Sequence, residues 1–503
     1  MVTLINPNLV VLRNDPFTTG IVYMPIGLAY LAASLQKANM PVRVVDAFGE
    51  SPYKARCYKE FMFLGLTNDE VVERISDDAS IVFVYAINLT NHISTISIIK
   101  SIKKVRPKLK IIVCENTQAV TAYALSYVAD EFYRTGADYV LTGESEYRAV
   151  RIAQILLNDS KENRLRQIDG VGGATFYDKP IEMIDDLDSL PFPAWDMFPI
   201  ENYWRLRFAH GPQTSKRYLP LLTSRGCPYK CRFCVTPANN NQRWRPRSAK
   251  NVVDEIEYFY NKYKVQEFHF EDLNPTVSDR RTREICNEIL KRSLNINWKI
   301  ASGTKIETIK SEETVDLMAR AGCRYISISP ETGSTRLLKQ MHKPFNLDHA
   351  IKMIKRMNYA GIRSQACFIL GYPGENEEDL KMTRDMVKDI TRKGVDEIAL
   401  FIITPVPGSA IYEEIKGYKS LSELNFSPVW RHDYKILNRF RFRLYLSFLI
   451  WKLWYHPLKV IGQPINFLQL RFETKMEMVP YRAIVFKMLD WFALRSCFTS
   501  RQV

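Results

Sequence analysis

The chain has 503 residues, 46% hydrophobic and 25% charged, which fits a soluble globular protein of roughly two to four domains. Nine cysteines are too few for a secreted disulfide scaffold and suit a reducing compartment. The net charge of +15 admits nucleic acid, an anionic membrane or an acidic substrate as partner, but no nucleic-acid-binding motif is found and a solvated basic surface is the default reading.

The start, Met1-Val2-Thr3-Leu4-Ile5-Asn6-Pro7, reads as a buried strand and lacks the pattern of a signal peptide. No run reaches the roughly 18 uncharged apolar residues of a membrane span, so a cytoplasmic protein is expected. Through residue 150, apolar runs alternate with helical patterns. Strands are expected at Val2–Ile5, Val42–Val45, Ile81–Tyr85, Leu109–Val113 and Tyr139–Leu141, with helices at Gly27–Ala38 and Ile93–Lys104. Such alternation predicts an α/β, doubly wound parallel sheet whose ligand lies on the loops at the carboxyl ends of the strands.

Residues 151–215 read as a connector. It holds a glycine-bearing hairpin at Ile168–Phe176 and a proline-limited segment, Leu190-Pro191-Phe192-Pro193. Residues 216–410 repeat strand and helix about six times. Strands are expected at Leu219–Ser224, Val265–Phe270, Ile296–Ser302, Arg324–Ser329, Ile362–Leu370 and Glu397–Ile402. Helices are expected at Ala249–Tyr260, Arg280–Arg292, Ser311–Arg320, Leu347–Tyr359 and Glu377–Arg392. Six such units give a partial barrel, open at the side, with functional groups on the loops after the strands.

The loop after the first barrel strand reads Arg225-Gly226-Cys227-Pro228-Tyr229-Lys230-Cys231-Arg232-Phe233-Cys234. Cys-x3-Cys-x2-Cys supplies three soft thiolates and no fourth. They can hold three corners of a cubane iron–sulfur cluster and leave one iron for another ligand. Structural zinc wants four ligands, usually as two distant pairs, and no second pair exists.

With Phe233 just before the last cysteine, this loop resembles the radical S-adenosylmethionine (radical SAM) enzymes. The resemblance implies that Cys227, Cys231 and Cys234 are the metal ligands of a 4Fe-4S cluster whose open iron chelates SAM. Reductive cleavage then yields a 5′-deoxyadenosyl radical. It further implies SAM contacts from Phe233, from Glu271 and Asp272 after the second strand, and from Ser302 and Lys305 after the third. Glu331, in Ser329-Pro330-Glu331-Thr332-Gly333-Ser334, and Gly371 and Gly374, in Gly371-Tyr372-Pro373-Gly374-Glu375, complete the set. Thr404-Pro405-Val406-Pro407-Gly408-Ser409 matches a further family turn.

The first domain resembles the cobalamin-binding domain that precedes the barrel in one branch of these enzymes. Pro25-Ile26-Gly27-Leu28-Ala29-Tyr30-Leu31-Ala32 matches the first helix of that branch, and Gly143-Glu144-Ser145-Glu146 matches its Gly-Glu-x-Glu signature. The resemblance implies cobalamin contacts from Gly27, Leu28, Asn88, Thr90, Glu115, Gly143 and Glu144. There is no Asp-x-His-x-x-Gly motif, as is common in this branch; His92 is a candidate lower ligand, with a capping role as its plainer reading.

Residues 411–503 form a helical extension. The stretch Phe440–Tyr455 is aromatic and basic, and reads either as a helix covering the barrel mouth or as an interfacial helix making peripheral membrane contact. The expected activity is methylation of an unactivated carbon in a small-molecule or lipid-like substrate, with an external reductant of flavodoxin or ferredoxin type. Radical oxidation, cyclisation or ring rearrangement without methyl transfer is the alternative, and a non-catalytic cobalamin or metal sensor is another.

Overall fold

The computed structural model describes residues 1–15, 17–158, 162–174 and 183–499. The first sheet has the order Val42–Asp46, Val2–Asn6, Ile81–Ala86, Lys110–Glu115, Tyr139–Leu141, all parallel, and closes with antiparallel Val171–Gly173. These strands are apolar on both faces because helices cover both. Leu4, Phe83 and Ile112 enter one core, while Ile5, Val82, Val84 and Val113 enter the other. The order reverses between Val2–Asn6 and Ile81–Ala86, so the crevice where a doubly wound sheet binds its ligand lies over that pair. Of the expected hairpin near Ile168–Phe176, the part from 175 lies outside the described residues.

A three-stranded antiparallel sheet of Leu9–Leu12, Phe61–Leu64 and Ala55–Tyr58 was not expected. Its strands have four residues each, too short for a periodicity to separate them from the apolar run that precedes them.

The second large sheet takes its six strands in chain order, all parallel: Tyr218–Leu221, Glu267–Phe270, Asn297–Thr304, Cys323–Glu331, Arg363–Leu370 and Glu397–Ile402. This is the expected partial barrel. Its outer helices start at side-chain caps (Ser248, Ser278, Ser311, Asn346 and Asn376), each accepting an amide three residues on. The first strand ends sooner than expected, at Leu221. Ser224–Arg225 pairs instead with Arg245–Pro246, which turns the chain into the cysteine loop.

Beyond the barrel, the helix Tyr434–Tyr455 packs on the helix Glu377–Arg392 and the sixth strand. Two short helices follow, Pro457–Ile461 and Gln463–Leu468, and then the long helix Lys475–Thr499. That last helix joins the two domains. Its Met476 amide bonds Glu397 at 2.6 Å, while Asp490 pairs with Arg13 at 2.6 Å and Arg482 donates to the Phe17 carbonyl at 2.7 Å. Among the described residues no helix is long and apolar enough to cross a membrane.

Candidate functional site

The cysteine loop is shaped by two local devices. Gly226 has φ +78°, and a Cβ there would lie 2.0 Å from the Arg243 carbonyl oxygen, so only glycine fits. Asp272 is fully buried and receives the Thr223 amide at 3.0 Å, the Thr223 hydroxyl at 2.7 Å and the Ser224 hydroxyl at 2.6 Å. It therefore ties the second strand to the start of the loop, and burial pushes its carboxyl up against those bonds. Gly226→Ala is expected to cost about 1–3 kcal/mol in backbone strain before the clash is counted. Thermal melting and iron content after anaerobic reconstitution would show a lower midpoint and poorer loading.

Cys227, Cys231 and Cys234 are free and partly exposed. The Cys234 amide donates to the Cys231 carbonyl at 3.1 Å, and the Thr236 amide points to the Cys234 sulfur at 3.4 Å. Among the described residues no three metal-binding side chains converge on one ion. A cubane does not ask for this, since each thiolate ligates a different iron. Burial pushes the Cys227 thiol to about 11 and the Cys231 thiol to about 12, with Lys343 pulling both back. Three soft donors beside a fixed cation fit an anionic iron–sulfur cluster.

That cation has no counterpart among the residues expected from sequence. Lys343 is largely buried, ion-paired to Glu331, and lies 5.7 Å from the Phe233 ring centroid. Glu331, at φ +68°, is thus brought to the cysteines, its carboxyl pushed up by burial and drawn down by Lys343. Phe233 packs on the cluster of Leu337, Met341 and Ile369. Lys305 donates to the Pro344 carbonyl at 2.5 Å, pairs with Glu307 at 3.1 Å and lies over Tyr229. Gly371, at φ +77°, is bonded to Glu375 and Arg431, and Leu437 occupies the space a Cβ would need. Gly374, at φ +82°, accepts from Arg336 at 2.8 Å, and a Cβ there would meet only Gln340, at 3.8 Å.

Glu271 faces the barrel interior. His210 from the connector is 2.6 Å away and the Ser302 hydroxyl donates at 2.7 Å. Burial pushes Glu271 up, yet His210 and Ser302 hold it below the usual carboxylate range; burial holds His210 below the ordinary imidazole value. The pair is a carboxylate accepting from Nδ1–H of a neutral ring. Around it stand groups that sequence reasoning passed over. The Tyr23 ring is tilted by 37° against His210 with centroids 4.5 Å apart, and Lys475 is partly buried with its ammonium 3.0 Å from the Ala301 carbonyl oxygen. Burial holds Lys475 below the usual lysine range. The hydroxyls of Tyr23 and Thr121 are buried and have no hydrogen bond beyond their own pairing. First domain, connector, barrel and last helix thus meet in one polar cluster.

The first domain lies directly against the cysteine loop. Ala119, Ala122 and Ala124 pack on Val235, next to Cys234, and Asn240 donates to the Thr117 carbonyl at 2.9 Å. Glu144 receives Arg245 at 2.6 and 2.8 Å and the Ile184 amide at 2.8 Å, with Arg225 3.6 Å away. Burial pushes its carboxyl up, but Arg225 and Arg245 outweigh this and hold it low. Arg225 also pairs with Glu146 at 2.6 Å. The Gly-Glu-x-Glu segment therefore docks onto the strand that leads into the cysteines.

Glu115 receives the Leu125 amide at 2.8 Å and the Gly143 amide, and Gly143 has φ +73°. Asn88 caps the turn Leu89–Asn91 and accepts from the Thr90 hydroxyl at 2.7 Å. Gly27 admits the Tyr85 hydroxyl, 2.2 Å from where a Cβ would stand, and Leu28 is core. His92 is fully buried, with Nδ1 3.0 Å from the Tyr123 hydroxyl and Nε2 3.3 Å from Glu131 without a hydrogen bond of good geometry, so both nitrogens face groups of the domain. The crevice does keep a buried polar atom without a partner, Gln118 Oε1, and a Tyr23–Thr121 hydroxyl pair with no other hydrogen bond, at the junction with the barrel. Native proteins leave few such groups unpaired, and a large ligand rimmed with amides fits them.

Residues 221–387 match the Radical SAM superfamily. The cytidylyl-2-hydroxyethylphosphonate methyltransferase of Streptomyces wedmorensis is 28% identical over 452 residues, 82% of this chain and 81% of that one. The anaerobic magnesium-protoporphyrin IX monomethyl ester cyclase of Rubrivivax gelatinosus is 30% identical over 251 residues, 49% of this chain and 42% of its own. Among solved structures, the radical S-adenosylmethionine methyltransferase TsrM from Kitasatospora setae, with tryptophan substrate and a SAM analogue bound, is similar with a TM-score of 0.62. Its identity is 18%, over 82% of this chain and 75% of that one. A second structure of TsrM, with cobalamin and a [4Fe-4S] cluster bound, has a TM-score of 0.60. At this identity the likeness establishes the two-domain fold.

Proposed function

We propose that this chain, a radical SAM enzyme of the cobalamin-dependent group, methylates a carbon of a small-molecule or lipid-like substrate held between its two domains. The observation that carries the reading is the direct packing of the first domain's ligand-side loop on the segment after Cys234. This packing supports one site shared by both domains. We divide the chain at residues 150, 215 and 410, into cobalamin domain, connector, barrel and helical extension.

When bound, the cluster with SAM would supply the radical that removes a hydrogen atom from the substrate carbon, and cobalamin would supply the methyl group to that carbon. The chain's own residues hold and screen these groups. Cys227, Cys231 and Cys234 ligate the cluster, and Lys343 offsets its negative charge. Glu271, fixed by His210 and Ser302, offers a carboxylate to the SAM ammonium. Tyr23, Gln118 and Thr121 would offer polar atoms to the amides of the corrin rim. Lys475 and Tyr23 would close the site to water. An external one-electron reductant is required.

The test uses methyl-labelled SAM with the anaerobically reconstituted, reduced enzyme and substrates of both classes. Label in the product, with S-adenosylhomocysteine and 5′-deoxyadenosine formed together, is the expected result. The cyclase relative favours a second reading, radical oxidation or cyclisation, in which 5′-deoxyadenosine forms alone and no label is transferred.

A further inference from the structure

The helix Tyr434–Tyr455 is divided lengthwise. One row, Leu437, Arg441, Leu444, Phe448 and Lys452, is buried against the barrel. The opposite row begins with exposed Lys435, Arg439 and Arg443 and ends with exposed Leu446, Ile450, Leu453 and Trp454. A core-packing helix would turn its aromatics inward, yet Trp454 is 80% exposed. The outward apolar row continues through the two short helices, where Leu458 is 83% and Leu468 82% exposed, with Ile461 and Ile465 between them. The spacing of these four is helical. Apolar surface of this extent on a folded chain marks an interaction site.

We propose that this surface seats the protein on an anionic lipid bilayer, with Leu453, Trp454 and the two short helices entering the headgroup layer and Lys435, Arg439 and Arg443 contacting lipid phosphates. The charge pattern selects this occupant. Residues 434–472 hold seven Lys and Arg and no Asp or Glu, so a second copy of the chain would bring like charge to like charge. Basic residues before an apolar, tryptophan-bearing stretch suit the bilayer interface, where each Lys or Arg adds attraction to an anionic surface. The inference is independent of which reaction the barrel carries out.

Co-sedimentation of the full-length protein with vesicles tests it. Binding is expected to vesicles of phosphatidylcholine with phosphatidylglycerol, and to weaken about tenfold without the anionic lipid or at high salt. L453S/W454S/L458S is expected to weaken binding by at least about tenfold, and R439E/R443E to lose the preference for anionic vesicles, both with an unchanged melting temperature because all five side chains are exposed. The proposal is overturned if the wild-type protein stays in the supernatant with anionic vesicles. It is also overturned if L453S/W454S/L458S binds as tightly as wild type, if zwitterionic vesicles bind equally well, or if light scattering shows a dimer that the serine variant dissociates.

Discussion

Alanine at any one of Cys227, Cys231 or Cys234 is expected to abolish 5′-deoxyadenosine formation while leaving the fold in place. The hydrogen bonds at the sulfurs are few and local: Cys234 with Thr236, and Cys227 with the Tyr229 amide and Asn274. The loop's course is set by Gly226, by the Asp272 bracket and by the pairing of Ser224–Arg225 with Arg245–Pro246. Burial in the protonated state also costs the thiols little, so a variant loses a ligand and not a packing element. With two thiolates left, a cubane has two irons without protein ligands, and the cluster is lost or unstable. Melting curves recorded before reconstitution should overlay within about 1 kcal/mol, as for substitutions at partly exposed sites. Iron content and deoxyadenosine should both collapse. Retention of SAM cleavage by any of the three variants would remove the cysteines from the site.

Glu144→Ala is expected to do the reverse, with a severe effect on stability in protein that has never met cobalamin. The substitution leaves Arg245 with no carboxylate partner and Arg225 with Glu146 alone, in surroundings where Arg225 and Arg245 are only 4% and 5% exposed. Removing one partner of a buried pair typically costs about 3–5 kcal/mol, because the remaining charge stays desolvated. Urea unfolding should show the loss as an earlier transition. Glu144→Gln, which keeps two acceptor lone pairs for Arg245, should recover part of it. A cobalamin contact as the main role of Glu144 predicts instead an unchanged transition without cobalamin and a defect only in its binding.

Legibility followed range. Glu397–Ile402, Leu347–Tyr359 and Glu377–Arg392 occupy their expected bounds because apolar spacing and a capping residue act within one element. The cysteine loop was readable because its ligands lie within eight residues. Lys343 was not: Met341-His342-Lys343-Pro344 carries no local pattern, and the residue matters only because the turn after the fourth strand brings it to Glu331 and Phe233. His210 and Lys475 stand far from Glu271 in the chain, and no periodicity couples them. The Gly-Glu-x-Glu acids could be recognised but not assigned, since an acidic pair facing a ligand and one facing Arg225 and Arg245 look the same in sequence. The outward face of Tyr434–Tyr455 was ambiguous because aromatic and basic residues occur on both sides, and only the packing decides which row is covered.

The central claim is that a cubane with one open iron, held by three cysteines, cleaves SAM. Quantifying 5′-deoxyadenosine from the anaerobically reconstituted, dithionite-reduced protein, with iron and sulfide measured on the same sample, tests it most directly. About four irons and four sulfides per chain, with deoxyadenosine formed in wild type and absent from the triple variant C227A/C231A/C234A, is the predicted result. Zinc in place of iron, or equal deoxyadenosine from the triple variant, would contradict it.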